Sequence, residues 1–171
     1  AFDRGDTAEL LPPPASPVGA NMAVRRSWLE ALGPFKTSLG RRGSSLAGSE
    51  EEEFFLRMRA RGGYIAYIPE ASLRHVIPPA RMEPRWFRRR AFAQGRSSVV
   101  LLDVQRRRGR VELLARAVSA LGHSVAGPGA ALRRITSDRR SRFGGAITSL
   151  TWLGCAAECA RLAFGRRGGG T

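Results

Sequence analysis

Gly48-Ser49-Glu50-Glu51-Glu52-Glu53-Phe54-Phe55-Leu56-Arg57 is the stretch on which the reading of this chain turns. Ser49-Glu50-Glu51-Glu52 matches a capping box, which predicts a helix starting there. Phe54, Phe55 and Met58, with Leu56 beside them, give that helix an apolar stripe, and Gly62-Gly63 ends it. Arg57, Arg59 and Arg61 take the other side and the C-terminal end, where cations suit the helix dipole. Several carboxylates therefore sit at a helix N-terminus, where free N–H groups favour the ionised form and could hold a general base competent at neutral pH. Clustered like charges oppose this. Acidic residues also suit the first turn of any helix, so the run on its own is common.

Upstream, residues 36–48 are rich in Gly and Ser and read as a loop. Ser27-Trp28-Leu29-Glu30 is a second capping-box match, and Gly33-Pro34 stops that helix after about two turns. Val18 to Val24 is small and apolar, consistent with a short buried strand. Residues 1–17, with Pro12-Pro13-Pro14 and Pro17, read as an extended tether. Downstream, Tyr64-Ile65-Ala66-Tyr67-Ile68 is a β-rich run closed by Pro69, and Ala71 to Ile77 reads as a further strand. Residues 18–77 thus alternate strand, helix, helix, strand, strand, an α/β pattern.

After Pro78-Pro79 the character changes. Residues 84–103 predict a helix that is basic and aromatic at its start (Arg85 to Arg90) and apolar at its end. Residues 110–122 predict an amphipathic helix with Val111, Leu114, Val118 and Leu121 in register. Ser124–Gly129 and Ser137–Gly145 read as linkers, and Ala146 to Phe164 as a mostly apolar helix. Its Glu158 would cost roughly 2.5–3.5 kcal/mol at mid-bilayer, which argues against a span and for a packed or interfacial helix. Cys155 and Cys159, four apart, read as small buried hydrophobes. The expected organisation is a tether over 1–17, an α/β-led portion over 18–103, a helical appendage over 104–164 and a disordered tail over 165–171.

The chain has 171 residues, 43% of them hydrophobic, and a formal charge of +15. Its mean hydropathy of -0.23 gives no sign of a membrane bundle. Lys36 is the one lysine; the remaining basic residues are arginine. Such a charge favours anionic partners: nucleotide phosphates, acidic lipid or nucleic acid. Ala1-Phe2-Asp3-Arg4 reads as no secretory signal.

The ordered set Gly19-Ala20-Asn21-Met22-Ala23 with Arg25-Arg26, Leu32-Gly33-Pro34-Phe35, the Glu50 to Arg57 block, Gly63 to Tyr67, and Pro69 to His75 resembles family-2 glycosyltransferases. It is similar to the C-terminal half of their GT-A catalytic domain, over residues 18–100. The resemblance implies a partial GT-A (Rossmann-like) α/β domain with a mixed sheet, followed by C-terminal helices. It implies transfer of a sugar from a nucleotide diphosphate donor to an acceptor hydroxyl on a glycan or lipid-linked acceptor. Cell-envelope or polysaccharide synthesis is the expected setting, in the cytoplasm or peripherally on the inner face of the plasma membrane.

By the same resemblance, Glu50 and Glu51 match the family's Glu-Asp pair, so Glu51 is the catalytic base and Glu50 its neighbour; the departure is Glu for Asp, one methylene longer, and Glu53 matches a further acidic position. Asn21, Arg57 and Trp86 are the expected substrate contacts. His75 matches a histidine that completes a Mn or Mg site, most of whose ligands lie outside this chain. Arg85-Trp86 resembles part of a Gln-x-x-Arg-Trp acceptor motif, but Met82 stands where Gln would be. The family's Asp-x-Asp motif has no counterpart: aspartates occur at 3, 6, 103 and 138. The chain is accordingly expected to be the acceptor-side portion, inactive without a donor-binding half.

The alternative is a nonenzymatic basic module that binds nucleic acid or an acidic membrane through residues 81–142. Nucleic acid is not the expectation, because no recognised binding motif is present and the arginines are spread over several elements.

Overall fold

A computed structural model describes residues 3–41, 43, 45–105, 109–133 and 139–165. The chain divides into two units. The first comprises residues 1–40 and 49–77, the second 41–48 and 78–171.

The first unit is built around the acidic helix. Its elements are β1 (Glu9–Leu10), α1 (Arg26–Leu32), α2 (Glu50–Ala60) and β2 (Ala66–Tyr67). β1 and β2 pair antiparallel, Glu9 opposite Tyr67 and Leu10 opposite Ala66. The Leu11 N–H extends the ladder by donating to the Ile65 carbonyl at 2.8 Å. The apolar stripe expected of α2 is buried: Phe54, Phe55 and Met58 join Leu11 and Ile65 in one core, with Trp28, Leu29 and Phe35 packed against it. Phe54 lies 4.8 Å from Phe35, ring centre to ring centre, and meets Phe55 edge-on at 5.8 Å. Each such ring contributes about 2–3 kcal/mol by leaving water, so α2 is held by its stripe rather than by its cap.

Four local expectations change. The first unit holds two helices and a small two-stranded antiparallel sheet, and no mixed Rossmann-like sheet is shown among the described residues. Neither 18–24 nor 71–77 forms a strand among the described residues. Backbone N–H and C=O groups need ladder partners, and neither segment has a neighbouring strand to supply them. Residues 9–11, read as part of a tether, instead carry β1 and bury Leu11. Neither capping box closes: α1 begins at Arg26 with Arg25 at its N-cap, two residues before the expected cap Ser27, and Ser49 caps α2 without a side-chain hydrogen bond.

The second unit holds a 3₁₀ turn (Pro79–Arg81) and three long helices, α3 (Pro84–Gln105), α4 (Arg110–Arg133) and α5 (Arg139–Phe164). Helix α4 runs through the expected linker at 124–129, and α5 starts within the one expected at 137–145. Of the expected tail, residues 166–171 lie outside the described residues. Helix α5 is central. Val99 of α3, Leu113 and Ala117 of α4, and Cys159 and Ala163 of α5 form one core. Phe87 meets Phe143 and Arg96 meets Glu158, so α3 and α5 run parallel. Arg110 covers Phe164 and His123 stacks on Trp152, so α4 runs antiparallel to α5. No helix of the described residues is long and apolar enough to cross a membrane.

Candidate active site

The four carboxylates at the start of α2 have different surroundings, set by helix geometry. Glu53, one turn in, points inward; its side chain is 2% exposed. Arg57, one turn further along the same face, donates Nε–H to both Glu53 oxygens at 2.9 and 3.0 Å, and Lys36 Nζ lies at 3.6 Å. A buried carboxylate needs such partners. Glu53 is thereby committed to an internal ion pair.

Glu50 and Glu51 are not so committed. The Glu51 carboxylate rests on the backbone of Gly19, close enough that a Cβ at that position would fall 1.9 Å from Oε1. The Glu50 carboxylate rests on Gly40, where a Cβ would meet its carboxyl carbon at 3.0 Å; Gly40 has φ +86°. Glu50 Oε2 is buried without a hydrogen-bond partner among the described residues. Ser49, which launches the helix, is left-handed at φ 81°, ψ 13°, the one described non-glycine residue with positive φ. A side chain in that region costs about 1–2 kcal/mol, so the surroundings impose the turn. Its side chain is left unable to cap, and the first carboxylates face the two glycines instead.

Asn21 links a further segment. Its Nδ2 donates to the Ala71 carbonyl at 2.6 Å, while its own N–H donates to Val18 O at 2.9 Å, closing a turn around Gly19. The Gly19-Ala20-Asn21 segment therefore touches both Glu51 and the stretch leading to His75. His75 itself is exposed and makes no hydrogen bond or ion pair with a described residue. Arg57, expected at a substrate, spends its guanidinium internally. Besides Glu53 it donates to Leu32 O, and to Pro34 O at 3.1 Å, and it lies over the Phe54 ring at 5.2 Å. Trp86 is in the second unit, at the start of α3, with Phe87 edge-on at 5.4 Å.

No group of three or more His, Cys, Asp or Glu among the described residues could hold a metal ion. His75 forms no ion pair with a described acidic residue, so it is not part of a ligand cluster among the described residues. The sequence reading missed Gly40, hidden in an unremarkable Gly-rich loop, and the left-handed Ser49. Neither carries a sequence signal, because both depend on where the loop returns.

No protein-family model matches the chain, and no solved structure matches it. The sequence is similar to the succinoglycan biosynthesis protein ExoM of Rhizobium meliloti (strain 1021), with 36% identity over 83 residues. That stretch is 48% of this chain and 25% of that protein, so the chain spans about a quarter of the length of the curated relative it matches.

Proposed function

We propose that this chain is the acceptor-side portion of a glycosyltransferase that works in polysaccharide or cell-envelope synthesis. It would take a sugar from a nucleotide diphosphate donor and pass it to a hydroxyl of a glycan or lipid-linked acceptor. Support comes from the ordered motifs, from the similarity to a protein of succinoglycan biosynthesis, and above all from one contact. Glu51, on α2, lies against Gly19 of the Gly-Ala-Asn segment, joining two motifs some thirty residues apart while no basic side chain among the described residues neutralises it.

In this reading Glu51 takes the proton of the acceptor hydroxyl. The hydroxyl oxygen bonds to the anomeric carbon as the nucleotide diphosphate departs with the electrons of the broken bond. A base must reach its proton and remain ionised; the α2 N-terminus favours the charge, and the absence of a salt bridge leaves the oxygen free to accept. Glu50 supports it from the Gly40 side, and Glu53 is structural. Donor and divalent-metal contacts belong to residues outside this chain, so no step is drawn through a metal. The chain by itself is expected to give little or no turnover.

The test is Glu51→Gln in the complete enzyme. General-base catalysis contributes about 10²–10⁴-fold, so transfer should fall by that factor with nucleotide-sugar binding retained. Transfer at the unaltered rate would remove Glu51 as the base.

A further inference from the structure

The charge of the chain is segregated. The first unit carries eight basic and nine acidic residues, whereas the second carries 21 arginines and five acidic residues. The entire positive excess therefore belongs to the helical unit, a field strong enough to gather anions at its surface. Some of these arginines are consumed internally. Arg96 and Arg161 pair with Glu158, Arg116 with Glu112, Arg85 with Glu83, and Arg90 donates to Leu46 O. Arg88, Arg89 and Arg142 are exposed and have no ion-pair or hydrogen-bond partner among the described residues.

These three lie at one end of the unit. Helices α3 and α5 run parallel and both begin there, Arg88 and Arg89 on the first turns of α3 and Arg142 on the first turn of α5. Between them the rings of Trp86, Phe87 and Phe143 form an edge-to-face chain, with centroids 5.4 and 6.2 Å apart. Phe87 is 42% exposed, and Met82, two residues before α3, is 68% exposed.

We infer that this basic and aromatic end docks on a membrane surface bearing anionic lipid. The guanidiniums of Arg88, Arg89 and Arg142 take headgroup phosphates. Met82 and Phe87 enter the boundary between headgroups and acyl chains, where apolar and aromatic side chains are stabilised. That pairing favours lipid over nucleic acid. Phosphates of either kind would satisfy the arginines, but an exposed methionine and phenylalanine beside them gain nothing from a sugar–phosphate backbone. The contact is peripheral, because no described helix can span, and it stands independently of the sugar-transfer reading.

Flotation of the full chain with phosphatidylcholine vesicles, with and without phosphatidylglycerol, tests this. Binding should require the anionic lipid and fall with salt. Each arginine near such a surface contributes about 1 kcal/mol, about fivefold, so R88Q/R89Q should partition roughly 30-fold more weakly. M82S/F87S should also weaken binding while leaving its salt dependence intact. R25Q/R26Q, in the first unit, should bind as the parent chain does. Circular dichroism checks that each variant keeps the helix content of the parent chain. The inference is overturned by equal binding to neutral vesicles, by no binding at all, by R88Q/R89Q or M82S/F87S partitioning like the parent, or by R25Q/R26Q losing as much. A single-stranded oligonucleotide that displaces the chain from the vesicles at equal phosphate concentration overturns it as well.

Discussion

Among the four acidic residues that open α2, position along the helix separates structure from chemistry. Glu53 and Arg57, one turn apart, face the core, and the guanidinium also holds the carbonyls of Leu32 and Pro34 behind α1. Removing the cation would strand a carboxylate that is 2% exposed, with Lys36 alone at 3.6 Å. Loss of one partner of a buried pair costs about 3–5 kcal/mol, and the remaining lysine places Arg57→Met at about 3 kcal/mol in urea unfolding. Replacing both residues together, Glu53→Leu with Arg57→Met, should recover most of that loss, because no buried charge then remains. A cost for Arg57→Met below about 1 kcal/mol, the range of an exposed pair, would show that Glu53 reaches solvent. Glu51 lacks such a partner, which is why it and not Glu53 is assigned the proton.

The helices of the second unit are fitted to one another by glycine. A Cβ on Gly95 of α3 would stand 1.9 Å from the Thr151 carbonyl oxygen of α5, and one on Gly154 of α5 would stand 2.1 Å from Phe92 O of α3. The two backbones therefore touch, and the Cys155 thiol donates to Gly95 O at 3.3 Å across the same crossing. Burial, and Cys159 beside it, push that thiol's pKa up, so it remains a protonated packing group. Gly95→Ala forces backbone from backbone and should destabilise by about 1–3 kcal/mol, although alanine otherwise improves a helix by about 1 kcal/mol. Gly122→Ala on α4, where the added Cβ meets nothing within 4 Å, is the matched control and should stabilise. Thermal unfolding of the two variants should shift in opposite directions; a shift of Gly95→Ala to higher temperature would disprove the backbone contact.

Across the whole molecule, the excess of arginine over carboxylate makes acid a destabilising condition. The second unit has five acidic residues to offset 21 arginines, and one of the five, Glu158, is buried in its centre between Arg96 and Arg161, at 2.7 Å from Arg96 Nε. Burial alone would push this carboxyl up, but the hydrogen bonds from Arg161 and Arg96 outweigh it and hold the pKa below its ordinary value of 4.5. A lowered pKa contributes stability above the unfolded value, and that contribution disappears as the pH falls through the folded value. The unit should therefore be insensitive to this group near neutrality and lose stability once the pH drops below about 4.5. Glu158→Gln should lower the melting temperature at pH 7 and flatten the acid limb. An acid limb of unchanged steepness in that variant would assign acid sensitivity to other carboxylates.

Much of the local structure was legible in the chain because it depends on neighbours in sequence. The stripe of Phe54, Phe55 and Met58, the stops at Gly33-Pro34 and Gly62-Gly63 and the short strand before Pro69 follow from period and punctuation, and the helices expected over 27–33, 49–61 and 84–103 are found within a few residues of those bounds, whereas α4 and α5 extend through the linkers expected at 124–129 and within 137–145. The acidic motif could be located in the same way. What it could not reveal was which carboxylate is neutralised, since Glu53 meets Lys36, and Glu50 and Glu51 meet Gly40 and Gly19, only when a loop and an N-terminal turn are folded back. The sheet failed for the same reason: a run of small apolar residues from Val18 to Val24 has strand character, but a strand exists only where another segment offers a ladder, and here β2 takes its partner from Glu9–Leu10. Propensity and period are local properties carried by each segment; pairing, burial and charge compensation are relations between distant ones, and the tertiary fold alone supplies them.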